Sequence, residues 1–245
     1  MNLQTRMKEK THVSKEEIES GLRQLGLQPG ALVMVHSSLS SFGYVEGGAE
    51  TVIDSLLETV GPEGTVMVPT YSINRRRLDT GEEEFLPYDA EKTPVWTGTI
   101  PETFRKRTEA IRSANPTHSL AAIGPKTKEL IEGLHRLVEL DGLVLMLGVD
   151  LRTNSTMHLS EGIAKPPQYL KRLESRKPKI VDGREVFTPS GPWADFTKME
   201  EAYIQKGIIK IGKIGDATIR LLKAKPMVET FAEALRQNSE RFYGE

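Results

Sequence analysis

Leu143-Val144-Leu145-Met146-Leu147-Gly148 leads within a few residues into Thr153-Asn154-Ser155-Thr156-Met157-His158-Leu159-Ser160-Glu161. Five consecutive apolar residues are the pattern of a strand buried on both faces. The glycine marks a turn, and the polar residues after it open a helix. Open α/β sheets present their chemistry in this way, at the carboxyl ends of strands. His158 and Glu161 are three apart, so on a helix their side chains share a face. A carboxylate that holds one ring nitrogen fixes the tautomer and makes the other nitrogen a better base. His158 is therefore a candidate general base, with Thr156 and Asn154 as hydroxyl and amide donors beside it. The same spacing also serves an ordinary surface hydrogen bond, so the other segments have to decide.

Two further strands end in polar tips. Ala31-Leu32-Val33-Met34-Val35 is an apolar run that finishes in His36-Ser37-Ser38, and Thr65-Val66-Met67-Val68 finishes in Pro69-Thr70-Tyr71-Ser72. Between them Gly43, Gly47 and Gly48 form a permissive loop before a helix over 49–60, whose Val52, Ile53, Leu56, Leu57 and Val60 make one stripe. Exposed amides at such a helix start can receive a phosphate. Any one serine or threonine here is explained by capping a turn. Three hydroxyl-rich strand ends together point to a ligand.

Bulk properties narrow the classes. The chain has 245 residues with 38% hydrophobic and 27% charged content, which suits a globular protein with a sizeable core. A formal net charge of −1 gives no electrostatic footprint for nucleic acid or an anionic membrane. The absence of cysteine excludes thiol chemistry, disulfides and cysteine-bound metals. No apolar stretch reaches the roughly 20 residues of a membrane span, and residues 1–8 lack a secretion signal. Cytoplasmic location is the expectation.

The remaining chain reads in order. Ser14 and Glu17 form a capping box for a helix that Gly26 closes. Residues 74–94 read as a long irregular excursion in which Arg75-Arg76-Arg77 opposes Glu82-Glu83-Glu84. Thr99-Ile100-Pro101-Glu102 starts a helix. Arg112, in a polar turn with His118, is a candidate phosphate or carboxylate ligand, or a structural ion pair. Residues 169–189 read as a small antiparallel excursion with a hairpin turn at Asp182-Gly183. Residues 196–206 are helical and 208–211 form a strand. Asp216 is expected to cap a helix bearing Ile219 and Leu222, which Pro226 breaks before a last helix with Val228, Phe231 and Leu235.

In this order the segments resemble the aminoglycoside 3-N-acetyltransferase family. The resemblance spans about 32–242. It is carried by Val35-His36-Ser37-Ser38-Leu39 with Gly43 and Gly47-Gly48, by Gly64-Thr65 with Pro69-Thr70-Tyr71, and by Gly98-Thr99-Ile100-Pro101-Glu102. Arg112-Ser113, Asn115-Pro116 and Ser119 follow, then Leu147-Gly148-Val149 with Asn154, Thr156, His158 and Glu161, and finally Gly212, Ile214-Gly215 and Ala217. The resemblance implies a three-layer α/β/α fold with a mixed central sheet, residues 1–245 as a single domain, and a place in antibiotic resistance. It implies direct acetyl transfer from acetyl-CoA, a co-substrate, to a small-molecule amine. His158 would be the base, supported by Glu161, with Thr156 beside them. His36, Ser37, Ser38, Leu39, Tyr71, Arg112, Ser113 and Ser119 would bind acetyl-CoA, and Asn115, Asn154 and Asp150 the acceptor. No metal, nucleic acid or membrane partner is expected, and a homodimer is left open. Asn115 stands where many members have histidine, and Asp150, Leu151 and Arg152 where many have glycine, histidine and aspartate. The acceptor is thus less firmly implied than the chemistry, and an amine on a different small metabolite or amino sugar is the alternative. Two other readings are a metal-dependent hydrolase using His36, His118, His158 and Glu161, and a CoA-binding protein with lost catalysis.

Overall fold

The run Leu143–Leu147 is a strand, one place from the middle of a seven-stranded mixed sheet. The computed structural model describes residues 11–72, 75–177, 179–181, 184–187 and 191–243. Its large sheet comprises β1 (Leu32–Ser37), β2 (Thr65–Pro69), β3 (Ile111–Arg112), β4 (Leu120–Ile123), β5 (Leu143–Leu147), β6 (Ile209–Ile214) and β7 (Ala217–Lys223). The spatial order is β6-β7-β5-β1-β2-β4-β3. The central strands β5, β1 and β2 run parallel, and antiparallel pairs flank them on both sides.

Helices α1 (Lys15–Leu25), α2 (Gly48–Val60) and α3 (Thr99–Phe104) cover one face. On the other lie α4 (Thr127–Leu130), α5 (Leu134–Glu139), α6 (His158–Ala164), which leads into α7 (Pro167–Ser175), then α8 (Glu200–Gln205) and α9 (Ala224–Asn238). This is the three-layer α/β/α arrangement. It explains the unbroken apolar runs, because alternate residues of a strand face opposite layers and both layers are dry. Val33 and Val35 enter one core while Met34 enters the other, and Leu145 and Leu147 part from Val144 and Met146 in the same way.

The first helix forms as expected: the Glu17 amide donates to Ser14 Oγ at 3.3 Å, the Ser14 amide to Glu17 Oε2 at 2.8 Å, and Gly26 closes it at φ 109°. Other expectations are corrected. Asp216 caps no helix; it sits in the tight turn between β6 and β7, and Ile219 and Leu222 belong to strand β7. A three-residue spacing puts them on opposite faces of a strand, and each is buried because each face has its own core. Pro226 breaks nothing, for it occupies the first turn of α9, where its missing N–H forfeits no intrahelical bond.

Residues 74–94 are not wholly irregular. Arg75–Arg77 and Glu83–Phe85 are antiparallel strands, so the opposed charge blocks are partners across a ladder, with Arg76 ion-paired to Glu84. The Glu83–Phe85 strand pairs with Arg184–Phe187, which pairs with Lys179–Val181, giving a four-stranded antiparallel sheet. The small excursion after α6 therefore exists, but its other half comes from the earlier segment. Residues 169–175, read from sequence as part of that excursion, lie in α7. The expected turn at Asp182-Gly183 lies outside the described residues.

Candidate active site

Because β5, β1 and β2 are parallel neighbours, their carboxyl ends meet at one edge. A cavity of about 350 Å³ opens there, lined by His36 and Ser37 from β1, Pro69 at the end of β2 and Tyr71 after it, and Ser155 and His158 after β5. Trp96, Thr97, Val149, Arg152 and Thr153 complete it. The strand ends singled out by their polar tips thus converge.

The 3-10 turns Leu151–Thr153 and Ser155–Met157 carry the chain from β5 into α6. Asn154 caps the second turn: its Oδ1 accepts from the Thr156 amide at 3.2 Å, while its Nδ2 reaches Met227 Sδ. His158 then begins α6 and places Nδ1 against Glu161 Oε2 across one helical turn. Phe196 and Trp193 present ring edges to the imidazole at 4.9 and 5.9 Å between centroids.

Glu161 is fully buried. Burial alone would raise its pKa, but hydrogen bonds from His158, Arg172 and Tyr243 outweigh it and hold the carboxyl at about 2. Arg172 Nη2 donates to the same oxygen as His158, at 2.9 Å, and Tyr243 OH donates to Oε1. Arg172 is itself buried, donates to Pro192 O at 2.9 Å and stacks over the Trp193 ring at 4.6 Å. The Tyr243 phenol is pushed upward by burial and by Glu161, so it stays a donor. Neither Arg172 nor Tyr243 was singled out from the sequence. Arg172 sits in a polar helix, Pro167–Ser175, whose Leu170 and Leu173 are exposed, so no local pattern marked it for burial, and Tyr243, 82 residues from Glu161, gave no signal either.

Four residues that line this cavity carry buried side-chain polar atoms without a protein partner among the described residues: His36 Nε2, Ser37 Oγ, Tyr71 OH and Ser155 Oγ. Thr156 Oγ1, next in the chain, is likewise buried and unpartnered. Each such atom costs about 1–3 kcal/mol when nothing satisfies it, so their grouping marks a place for a polar ligand. Burial pushes the His36 pKa down to about 3, leaving a neutral ring. Burial likewise pushes the Tyr71 phenol up to about 12; Ser155 lowers it slightly from nearby without hydrogen-bond geometry.

A second depression, about 530 Å³, lies on the other side of β1, lined by Ser37, Ser38, Leu39, Gly48, Gly98 and Thr99 among others. Ser37 belongs to both spaces. A third, about 570 Å³, shares Val149, Arg152 and Thr153 with the cavity and adds Asp150, Asp216 and Arg220.

Several residues expected to bind ligand are tied into the framework by hydrogen bonds. Arg112 donates to Thr70 O at 2.7 Å, Ser72 Oγ at 2.9 Å, Thr93 O at 2.6 Å and Ala90 O at 3.0 Å, so it braces the tip of β2 against the excursion. Ser119 Oγ donates to Thr70 O and Ser113 Oγ accepts from the Leu120 amide. None of the three lines the cavity. Asn115 is exposed and caps its own loop through the Thr117 and His118 amides. Asn154 is buried in its cap, and Asp150 faces the third depression, clasped by Arg152. Thr156 is buried beside Ser155. Among the described residues no three histidine, aspartate or glutamate side chains are grouped to hold a metal ion, and no helix is long and apolar enough to cross a membrane.

An α/β protein with a histidine–carboxylate pair at the meeting point of parallel strand ends has the layout of an enzyme. The family model for aminoglycoside 3-N-acetyltransferase matches residues 34–236. The chain belongs to that family, whose members are acyltransferases. Among its relatives is aminoglycoside N(3)-acetyltransferase IV of Salmonella sp, 31% identical over 233 residues, covering 88% of this chain and 85% of the relative. Another is the SPbeta prophage-derived aminoglycoside N(3')-acetyltransferase-like protein YokD of Bacillus subtilis, 30% identical over 90% of this chain and 91% of that one. The crystal structure of aminoglycoside acetyltransferase AAC(3)-IVa, in a histidine-to-alanine mutant complexed with a gentamicin, superposes with TM-score 0.81 at 28% identity, over 97% of this chain and 93% of that one. AAC-IIIb, solved as a binary complex with CoASH, gives TM-score 0.78 at 26% identity, over 95% and 98%.

Proposed function

We propose that this chain moves an acetyl group from acetyl-CoA to the amine of a small molecule, without an acyl-enzyme, using His158 as general base. The observation that carries the reading is the placement of His158: its Nδ1 is fixed by a buried, ionised Glu161, while its ring lines the same cavity as Ser37. An alkyl amine is mostly protonated at neutral pH and does not attack a carbonyl carbon. His158, with Nε2 as its free nitrogen, takes the proton directly or through a water. The amine nitrogen then bonds to the acetyl carbon, the carbon–sulfur bond breaks with its electron pair leaving on the CoA sulfur, and the second proton that nitrogen sheds on becoming an amide passes to that thiolate to give the CoA thiol. Ser37 and Tyr71, both unpartnered hydroxyls in the cavity, are placed to donate to the oxygen that gains charge.

The depression on the far side of β1 is the natural course for the pantetheine arm, since it meets the cavity at Ser37 and passes the start of α2, whose free amides favour phosphate. The structure of AAC-IIIb with CoASH, at TM-score 0.78, supports this donor. The names of the relatives and the gentamicin complex of AAC(3)-IVa support an aminoglycoside or a related amine as acceptor. We place the reaction in the cytoplasm.

The test is His158→Ala, assayed by CoA thiol release with calorimetric titration of CoA. Loss of a general base should lower kcat by about 10²–10⁴ while CoA affinity stays within threefold. Turnover equal to the parent would remove His158 from the mechanism.

A further inference from the structure

Two neighbours fix the His158 ring: Glu161 through Nδ1 and Trp193 through an edge contact at 5.9 Å. One residue of the next helix holds both. Arg172 Nη2 donates at 2.9 Å to Glu161 Oε2, the same oxygen that meets the imidazole. Its Nη1 donates to Pro192 O at 2.9 Å, and the guanidinium lies 4.6 Å from the centre of the Trp193 ring and 5.2 Å from that of Tyr169. The side chains of Arg172 and Glu161 are 4% and 0% exposed, whereas that of His158 is 40% exposed and lines the cavity.

A buried carboxylate by itself orients an imidazole but also favours its protonated form. A general base that already carries its proton at the working pH accepts no other. A guanidinium on the shared oxygen opposes that tendency, because it stays positive and disfavours a second cation beside it. The opposition is stronger in a dry site than in water. The other groups around the ring do not supply it. Tyr243 donates to Glu161 Oε1 but is neutral, and Arg176 lies on the Trp193 ring at 5.4 Å. Beside Phe196, Asp195 accepts from the Thr197 amide at 3.1 Å. On the cavity wall Arg152 is clasped to Asp150, while burial keeps His36 and Tyr71 neutral. Helix α9 turns Met227, Val228, Phe231 and Leu235 to the core beneath α6, and Lys165, Lys225 and Glu229 are exposed.

We infer that Arg172 is a positioning residue for the transfer: from the shared Glu161 oxygen it lets the acid aim the imidazole while leaving the ring free to accept the amine's proton near neutrality. This rests on the acetyl-transfer reading above. The arrangement differs from a plain ion-pair brace, which would hold Glu161 in place equally well from its other oxygen or with an uncharged donor, as Tyr243 does. Charge at the oxygen that touches His158 is what the proton balance responds to.

The experiment follows two quantities across pH: the acid limb of kcat/KM, by thiol release with gentamicin as acceptor, and the titration midpoint of the His158 ring, by NMR of histidine-labelled protein. The chain has five histidines, and the signal missing from His158→Gln identifies the ring. Arg172→Gln keeps a donor for Glu161 and removes the charge. Its acid limb and ring midpoint should both rise by about one pH unit or more, with the alkaline plateau of kcat within about tenfold and KM for acetyl-CoA within about threefold of the parent's. Arg172→Lys keeps the charge and should return both midpoints to the parent's. The double variant Glu161→Gln with Arg172→Met removes both charges and leaves no unpaired buried ion, so it decides the question if Arg172→Gln does not fold. Its ring midpoint should stay within about half a pH unit of the parent's, because the two charges cancel at the imidazole. A midpoint that falls by about one pH unit or more in the double variant overturns the inference, since Glu161 would then act on the ring alone. So does an unmoved midpoint in Arg172→Gln with only a lower plateau, which would leave Arg172 a structural ion-pair partner. If the parent releases no thiol, the acetyl-transfer reading fails, while the ring midpoints still judge Arg172.

Discussion

Glu161 shows how much a single buried charge depends on its neighbours. Three donors reach its two oxygens, and two of them, Arg172 and Tyr243, come from outside α6. Removing one partner of a buried ion pair leaves a desolvated charge behind, which costs about 3–5 kcal/mol. Arg172→Met should therefore lower the unfolding free energy by about that much, read from urea melts at pH 7.5. Tyr243→Phe removes one hydrogen bond to a charged group and should cost about 1.5–3 kcal/mol. Equal stability of both variants and parent would mean that Glu161 is not ionised in the native protein. The pair His158–Glu161 was readable because helical spacing is local. Arg172 and Tyr243 were not readable as its partners, since nothing in a linear chain tells which distant side chain will close over a buried acid.

At the scale of elements, the same limit appears where both faces of the sheet are buried. Runs such as Val33–Val35 and Val144–Leu147 identified central strands, because only a strand between two dry layers is apolar without alternation. In β7, Ile219 and Leu222 fit a helical face as well as a doubly buried strand, and periodicity alone could not separate the two. Arg112 teaches a different lesson. Its neighbours Ser113 and Ser119 suggested a polar ligand site, yet the guanidinium is consumed in tying Thr70, Ser72, Ala90 and Thr93 together. It thereby fixes the chain just before and after Tyr71, whose hydroxyl lies in the cavity. Lysine keeps the charge but has no planar fork to reach several acceptors at once. Arg112→Lys should thus lower stability by about 1–3 kcal/mol through unmet carbonyls. It should also lower kcat more than CoA affinity, measured by thiol release and calorimetry. A lysine variant that lost CoA affinity alone would instead make this residue a ligand to the donor.

For the whole molecule, acid sensitivity follows from two groups buried in the same site. Net charge is only −1 near neutrality, so general repulsion contributes little there and individual groups dominate. His36 has its folded pKa lowered by burial to about 3, below the ordinary histidine value of 6.5. Between those limits the unfolded chain binds a proton that the native state refuses, so stability falls as pH drops from 6.5 toward 3. At pH 5 this amounts to about 2 kcal/mol. Glu161 acts in a lower window: burial opposes its ionisation, but His158, Arg172 and Tyr243 hold it at about 2, so its contribution is complete above 4.5 and is lost as pH falls toward 2. The two windows can be separated. His36→Asn should remove most of the decline between pH 7 and 5 while keeping the decline below 4.5, as urea midpoints at four pH values would show. If the variant and the parent lose stability in parallel from pH 7 to 5, the imidazole of His36 takes up its proton as readily in the native fold as in the unfolded chain. Its neutral role beside Ser37 would then have to be abandoned.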